Sequence, residues 1–273
     1  MGPTGAGKST FINKVAGIEG TEVGHGLKSC THTVQIVRCL DTQQNRRVVL
    51  VDTPGFNDTN VSDLDTLRMV ASWLKITYQK DIRLAGLLFF HRISDNRMGG
   101  SPMKYLKMFQ NLCGNEALKN VVLVTTMWDE VEDEEGRNRE TELTAKYWNS
   151  MLELGCRTSR FYNNTQSAWD IVSQFQDARC TVLLQKELVD LRLELSETSA
   201  GRTLFSMLIE FIKRIKELLT QIEAKLKQNQ SSPHRPVVEQ ERTVTEAILR
   251  DADAQRRRYS VSSSVLRRFS NSR

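Results

Sequence analysis

Residues Gly2-Pro3-Thr4-Gly5-Ala6-Gly7-Lys8-Ser9-Thr10 satisfy G-x-x-x-x-G-K-[ST] at every fixed position, and few patterns restrict a fold so tightly. The chemistry of this pattern is geometric. Glycines let successive backbone N–H groups turn inward, so the loop becomes a nest for phosphate oxygens. The helix that follows points its positive end at the same anion. In such a loop Lys8 reaches the β- and γ-phosphates, and the Ser9 hydroxyl ligates Mg²⁺. The loop ordinarily hangs between a buried strand and a helix. The helix is present as Ser9 to Gly17, whereas only Met1 precedes the loop. The bland alternative is a glycine-rich turn at a helix start, and the later motifs weigh against it.

A length of 273 residues suits one sizeable domain with an extension, or two small domains. Hydrophobic content of 39% and charged content of 26% are those of a soluble globular protein. The net charge of +5 does not by itself argue for nucleic acid, and the basic residues are not interleaved with aromatic ones as a stacking surface requires. The cysteines, Cys30, Cys39, Cys113, Cys156 and Cys180, are odd in number and show no C-x-x-C spacing. Reduced thiols in a cytoplasmic protein are the simplest reading. The longest apolar stretch, around Leu204 to Ile209, is too short to cross a bilayer.

Short apolar runs alternate with helical patterns, which predicts an α/β domain. Thr33 to Cys39 and Arg46 to Asp52 flank the polar turn Asp41 to Asn45 and predict a hairpin. Leu84 to His91 and Asn120 to Thr126 read as buried parallel strands, with Arg160 to Asn163 as a weaker last one. Helices are expected at about Asp63 to Tyr78, Met103 to Leu112, Asn138 to Leu154 and Ser167 to Phe175. Beyond Cys180, Leu184, Leu188, Leu191 and Leu195 form one stripe; Leu204, Leu208, Phe211, Ile215, Leu218, Ile222 and Leu226 form a second with heptad-like spacing. The expected organisation is a domain over 1–178, a helical, coiled-coil-like extension over 179–230, and a largely disordered basic tail over 231–273, with room for a helix near Glu239 to Arg258.

Two further motifs assign the chemistry. Asp52-Thr53-Pro54-Gly55 ends a strand about 44 residues past Lys8. A carboxylate there holds the Mg²⁺ water shell, and the Gly55 N–H senses the γ-phosphate. The polar stretch from Gly24 to Thr33 is the expected first switch, where Thr31 and Thr33 both qualify to cap Mg²⁺ and the γ-phosphate. Thr126-Met127-Trp128-Asp129 follows the strand ending at Thr125, where guanine-nucleotide proteins carry [NT]-K-x-D. Asp129 accepts hydrogen bonds from guanine N1–H and the exocyclic amine. Met127 replaces the lysine but keeps an apolar stem that can cover a base.

These motifs, with the segment Ser29-Cys30-Thr31, together resemble the immunity-associated, avirulence-induced GTPases, whose wider relatives include septins and chloroplast import receptors. More narrowly, the chain is similar to fungal proteins of that G-domain type. His91 to Met98 resembles the box such proteins carry between their magnesium and guanine motifs, and Phe161-Tyr162-Asn163-Asn164 the segment whose asparagines contact the base. The resemblance covers about Met1 to Phe175. It implies a Ras-like doubly wound P-loop sheet, and it favours Thr31 as the switch threonine. The nucleotide-contacting set it implies is Gly2, Thr4, Gly5, Ala6, Gly7, Lys8, Ser9, Thr10, Asp52, Gly55, Thr126, Asp129, and Asn163 or Asn164. Ser9, Thr31 and Asp52 would organise Mg²⁺, and Lys8, Thr31 and Gly55 would act on the γ-phosphate of GTP.

Phe56 stands where Ras-type enzymes place a water-orienting glutamine, so slow hydrolysis is expected, with dimerisation as a route to completing the site. His25, Asn57, His91 and Arg92 are weaker candidate helpers. A non-hydrolysing GTP-gated scaffold that pairs through its G-domain face or helical extension is the second reading, and a nucleotide-incompetent fragment the third. An ABC-type ATPase is excluded, since no LSGGQ-like signature is present. Weak contact with anionic membrane surface by the basic end is unanchored, because no lipidation motif ends the sequence. In a Ras-like sheet the strand before Gly2 is central, between Val48 to Val51 and Leu84 to Phe90. Its absence from this sequence is the expectation of a truncated gene model, with Met1 at that strand's end.

Overall fold

Seven-residue alternation builds the first two strands. β1 (Gln35–Asp41) and β2 (Arg46–Asp52) pair antiparallel from Gln35 opposite Asp52 to Asp41 opposite Arg46, the predicted hairpin. The computed structural model describes residues 1–17, 34–41, 45–58, 61–96, 101–175, 179–228 and 235–270. The first-switch segment, with His25, Thr31 and Thr33, lies outside the described residues. Strands β3 (Leu87–Arg92), β4 (Val121–Thr126) and β5 (Arg157–Arg160) form a second, parallel sheet in that order. β4 is buried at all six positions, as a central parallel strand must be when helices cover both faces. The last strand ends at Arg160 rather than running on to Asn163, because residues Phe161 to Asn164 turn toward the next helix.

Met1 to Pro3 occupy the gap between the two sheets. The Met1 amine donates to Leu88 O at 2.6 Å, and Phe90 N donates to Met1 O at 2.9 Å. Pro3 bridges Phe56 in parallel sense on the opposite side. These residues therefore lie where the sequence places the central strand of a doubly wound sheet. From them the loop runs into α1 (Lys8–Ala16), whose Phe11, Ile12 and Val15 are buried. Phe11 meets Phe90 and Phe161 edge-on, each at 5.2 Å between ring centroids. Val122, Val124, Ala168 and Ile171 complete this core, which seats α1 and thereby the loop above it.

The remaining helices of this unit are α2 (Asp63–Gln79), α3 (Ser101–Cys113), α4 (Asp133–Glu142), α5 (Asn149–Leu152), α6 (Thr165–Val172) and α7 (Leu183–Val189). Ser62 caps α2 by accepting from Asp65 N. The helix expected from Asn138 begins at Asp133 instead, and a π-helical turn at Leu143–Tyr147 separates it from α5. Asp133, Glu134 and Glu135 favour that earlier start, since three carboxylates in the first turn offset the positive helix end. The leucine stripe after Cys180 is only partly helical. Leu184 and Leu188 are buried on α7, but the helix ends at Val189 and Leu191 is exposed.

The first compact unit is Met1–Leu193 and the second is Glu194–Arg273. The second consists of α8 (Ser199–Gln228) packed on α9 (Arg235–Ser270), the latter longer than the helix expected in a polar tail; its side chains are described as far as Tyr259. Stacking of Phe205 on Tyr259, at 4.9 Å and 9°, fixes the two as antiparallel. The expected α8 stripe is shifted by one residue in part: Ile212 is buried, whereas Phe211 and Leu218 are exposed. Among the described residues, no helix is long and apolar enough to cross a membrane. Cys39, Cys113, Cys156 and Cys180 are buried free thiols.

Candidate functional site

The phosphate loop crosses from the inter-sheet gap to α1 by turns that need glycine. Gly5 and Gly7 have φ of 77° and 81°, a left-handed backbone that L side chains resist. No side chain caps the first turn of α1 and no carboxylate lies in it, so the positive end of the helix opens onto the loop. Lys8 is buried, and its Nζ donates to Pro3 O at 2.7 Å and Gly2 O at 3.2 Å. Burial lowers its pKa to about 8, against the opposing pull of Asp52 and Asp58.

Asp52, at the end of β2, reaches the same point. Its Oδ2 accepts from Ser9 Oγ at 2.6 Å, while its Oδ1 is buried and has no hydrogen-bond partner. An orphaned carboxylate oxygen beside a hydroxyl is a hard-oxygen pair of the kind that fits Mg²⁺. Among the described residues there is no cluster of three or more His, Cys, Asp or Glu side chains able to hold a metal alone.

Gly55 packs directly on the loop. A Cβ there would lie 2.2 Å from Thr4 Oγ1 and 2.6 Å from Thr4 N, so only glycine fits. Thr4 N donates to Phe56 O at 2.8 Å, and Phe56 N donates to Gly2 O at 3.2 Å. Thr4 Oγ1 donates to Asp58 Oδ2 at 3.1 Å. Phe56 is 1% exposed and stacks on Tyr105 of α3, with ring centroids 5.6 Å apart. The Tyr105 hydroxyl donates to Asp63 Oδ2, and Asn57 N donates to Asp63 Oδ1. Burial raises the pKa of Asp63 despite these bonds. The segment after β2 is thus latched to α2 and α3 by residues that carry no motif.

At the other end of the loop, Thr126 Oγ1 lies 3.3 Å from both Ala6 O and His91 O, tying β4 to the loop. Met127 adopts φ 59°, and Asp129 beyond it is exposed. Trp128 anchors this turn: its Nε1 donates to Thr125 Oγ1 at 3.0 Å, and its ring packs against Gly136 of α4. The Arg160 guanidinium lies over the same ring at 4.3 Å and donates to both oxygens of Glu140. Phe161 N donates to Thr125 O, bringing the Asn163 segment alongside the Asp129 turn. Asn163 is left-handed at φ 54°; Asn164 Oδ1 accepts from Ser167 N as the cap of α6.

Described candidates from Gly2 to Thr10, with Asp52, Gly55 and Thr126, therefore converge on one loop, while Asp129, Asn163 and Asn164 stand on the neighbouring turns that follow β4 and β5. Arg92 reaches the loop as well, its Nη1 lying 3.4 Å from where a Gly5 Cβ would stand. The AIG1 family profile matches residues 1–186. The chain belongs to the AIG1 family. Among solved structures, this AIG1 chain is similar to chloroplast translocon components from a study of atToc33 and psToc159 in which dimerization is important for GTPase activity. The match has 15% identity, a TM-score of 0.50, and covers 67% of this chain and 83% of that one. Toc33 from Arabidopsis thaliana in complex with GDP and Mg²⁺ matches at 18% identity and a TM-score of 0.46, covering 60% and 69%. At such identities the first of these bears on the fold alone, and it agrees with an AIG1 G-domain architecture.

Sequence reasoning did not reach Arg160, Glu140, Gly136, Tyr105 or Asp63. They act from separate helices and strands on residues that motifs do identify. No spacing in the sequence links Arg160 to Trp128 or Tyr105 to Phe56.

Proposed function

We propose that this chain binds GTP and GDP with Mg²⁺, hydrolyses GTP slowly, and couples the bound nucleotide to self-association. One observation carries the reading: Lys8, Ser9 and the orphaned Asp52 oxygen meet at the open N-terminus of α1. Lys8, now bonded to the loop's own carbonyls, exchanges them for β- and γ-phosphate oxygens. Ser9 and Asp52 would hold Mg²⁺, which would supply positive charge against those oxygens. The Gly55 N–H reports the γ-phosphate, Thr31 serves as the switch threonine, and Asp129 with Asn163 or Asn164 reads guanine. The basic side chain of Arg92 beside Gly5 adds positive charge at the phosphate end.

Phe56 supports the slow rate. A buried phenyl ring cannot orient an attacking water by hydrogen bonding, so chemistry rests on electrostatics and on whatever a second molecule contributes. Dimerisation and guanine-nucleotide binding by the translocon components are consistent with this, as is a cytoplasmic setting for four buried free thiols. The scaffold reading shares every binding step and differs only in turnover.

Isothermal titration tests the assignment. Lys8→Ala is expected to abolish GTP and GDP binding. Asp129→Asn is expected to shift preference from guanine toward xanthine nucleotides, because an amide donates where the carboxylate accepted. Unchanged GTP affinity in both variants would remove the basis of the reading. Single-turnover hydrolysis at rising protein concentration separates the enzyme from the scaffold: a rate that grows with concentration supports the first, and none at any concentration excludes it.

A further inference from the structure

The helical unit carries a second apolar seam beside the one that joins its two helices. Phe205 against Tyr259 sets the register. Both helices rise about 1.5 Å per residue, so Ile212 lies level with Ala252 and Leu219 with Thr245. Ile212, Thr245, Ala252 and Tyr259 are all buried, and the α9 positions recur every seventh residue. Among the described residues, the buried positions on the α9 side of this first seam are Thr245, Ala252 and Tyr259, two of them small.

One residue before these positions stand exposed apolar side chains: Phe211 (44%) and Leu218 (38%) on α8, Val244 (54%) and Val237 (66%) on α9, with Ile248 (40%) next to them. A backward step of one residue turns about 100° around a helix. Because α9 runs opposite to α8, that same step turns toward the same side of the hairpin on both helices. Five exposed apolar residues therefore share one face. A helix with two neighbours uses a third apolar position per heptad, and α8 has one in the repeat Leu204, Phe211, Leu218.

We propose that this face is covered by the same face of a second copy of the chain, forming an antiparallel four-helix bundle about a two-fold axis parallel to the helices. Charge selects this occupant and this axis. The arrangement lays α8 of one copy over α9 of the other in the register that already joins them within one copy. Leu218 then falls between the levels of Val244 and Ile248. Lys225, seven residues past Leu218, falls within two residues of the level of Glu241, and Arg214 within one residue of the level of Asp251. Basic residues flank the seam on α8 and acidic ones flank it on α9, so opposite charges meet. Laying α8 over α8 instead would bring Arg214 and Lys225 toward their own counterparts.

The test is sedimentation equilibrium on the whole chain without nucleotide, which keeps its outcome separate from that of the nucleotide-binding reading. Wild type is expected to be a dimer, and Phe211→Glu with Leu218→Glu a monomer of unchanged far-ultraviolet helicity, since both side chains are already exposed. Lys225→Glu alone weakens the dimer by about tenfold, and adding Glu241→Lys restores it. Lys8→Ala, which removes nucleotide binding, leaves this helical dimer intact, because the helical seam forms separately from any association that the bound nucleotide governs. A wild-type chain monomeric at its highest soluble concentration overturns the proposal, as does a dimer indifferent to the glutamates at 211 and 218. Should the double glutamate variant lose helicity, the charge reversal decides: failure of Glu241→Lys to rescue Lys225→Glu overturns it.

Discussion

Lys8 is held in an environment that costs it part of its charge. Its pKa of about 8 comes first from burial, and only two carboxylates, Asp52 and Asp58, pull the other way. A polyphosphate bound in the loop places several negative oxygens against the ammonium and returns its pKa toward that of an ordinary lysine. Above pH 8 the nucleotide-free protein has lost this proton and the complex has regained it. Binding must therefore take up a proton, and affinity must fall as pH rises through 8 and beyond. Calorimetry between pH 7 and 9.5, in pairs of buffers that differ in ionisation enthalpy, measures both quantities. A proton uptake near zero at pH 9 would show that Lys8 does not face the phosphates. Asp52 illustrates the complementary economy: its unpartnered Oδ1 is a buried polar oxygen that a bound cation would satisfy.

At the scale of elements, a strap between α4 and β5 holds the turn that carries Asp129, and the proposed base site is expected to depend on it. Arg160 bonds Glu140 and covers Trp128, and Trp128 sets the turn that presents Asp129. Arg160→Ala removes a bidentate ion pair and a cation–π contact from a partly buried position. A loss on the order of tenfold in affinity follows, equal for GTP and GDP because both share the base. Arg160→Lys restores the charge but not the fork, so it recovers only part of that loss. A GTP-selective loss, or none, would show that the strap does not position the base site. The legibility of the sequence divides along the same line. The runs of β3 and β4 were readable because burial imposes apolar residues, and the β1–β2 hairpin because two β-branched stretches flank a polar turn. The glycines of the phosphate loop and Gly55 were readable because backbone geometry and close packing admit few residues there. The start of α4 was not, since three acidic residues stabilise it electrostatically without any apolar pattern. Nor was the end of α7, where the leucine spacing continues to Leu191 after the helix has stopped. Phe56–Tyr105 and Arg160–Glu140 join elements far apart in sequence, and a single sequence records no such pairing.

For the molecule as a whole, stability is tied to pH through a histidine at the centre of the G unit. His91, the residue before the end of β3, is 3% exposed, its ring edge-on to Trp148 at 6.0 Å and its carbonyl accepting from Thr126. Burial lowers its pKa from 6.5 to about 4; Asp95 opposes this shift and Arg92 adds to it. The sign follows from which state takes the proton. Between pH 6.5 and 4 the unfolded chain binds it and the folded chain refuses it, so stability is complete above 6.5, declines as pH falls, and levels off below 4. From pH 7 to pH 5 this group alone removes about 2 kcal/mol. His91→Phe keeps a buried ring and deletes the proton site. Urea unfolding of both proteins at pH 7, 6 and 5 therefore isolates the effect from every carboxylate they share: the wild-type chain should lose more stability than the variant, by about that amount. Parallel pH profiles would mean that His91 opens to water well before the fold does. The expected divergence would instead place a proton-excluding core directly beneath Thr126 and the phosphate loop, so that mild acid weakens the platform on which the site is built.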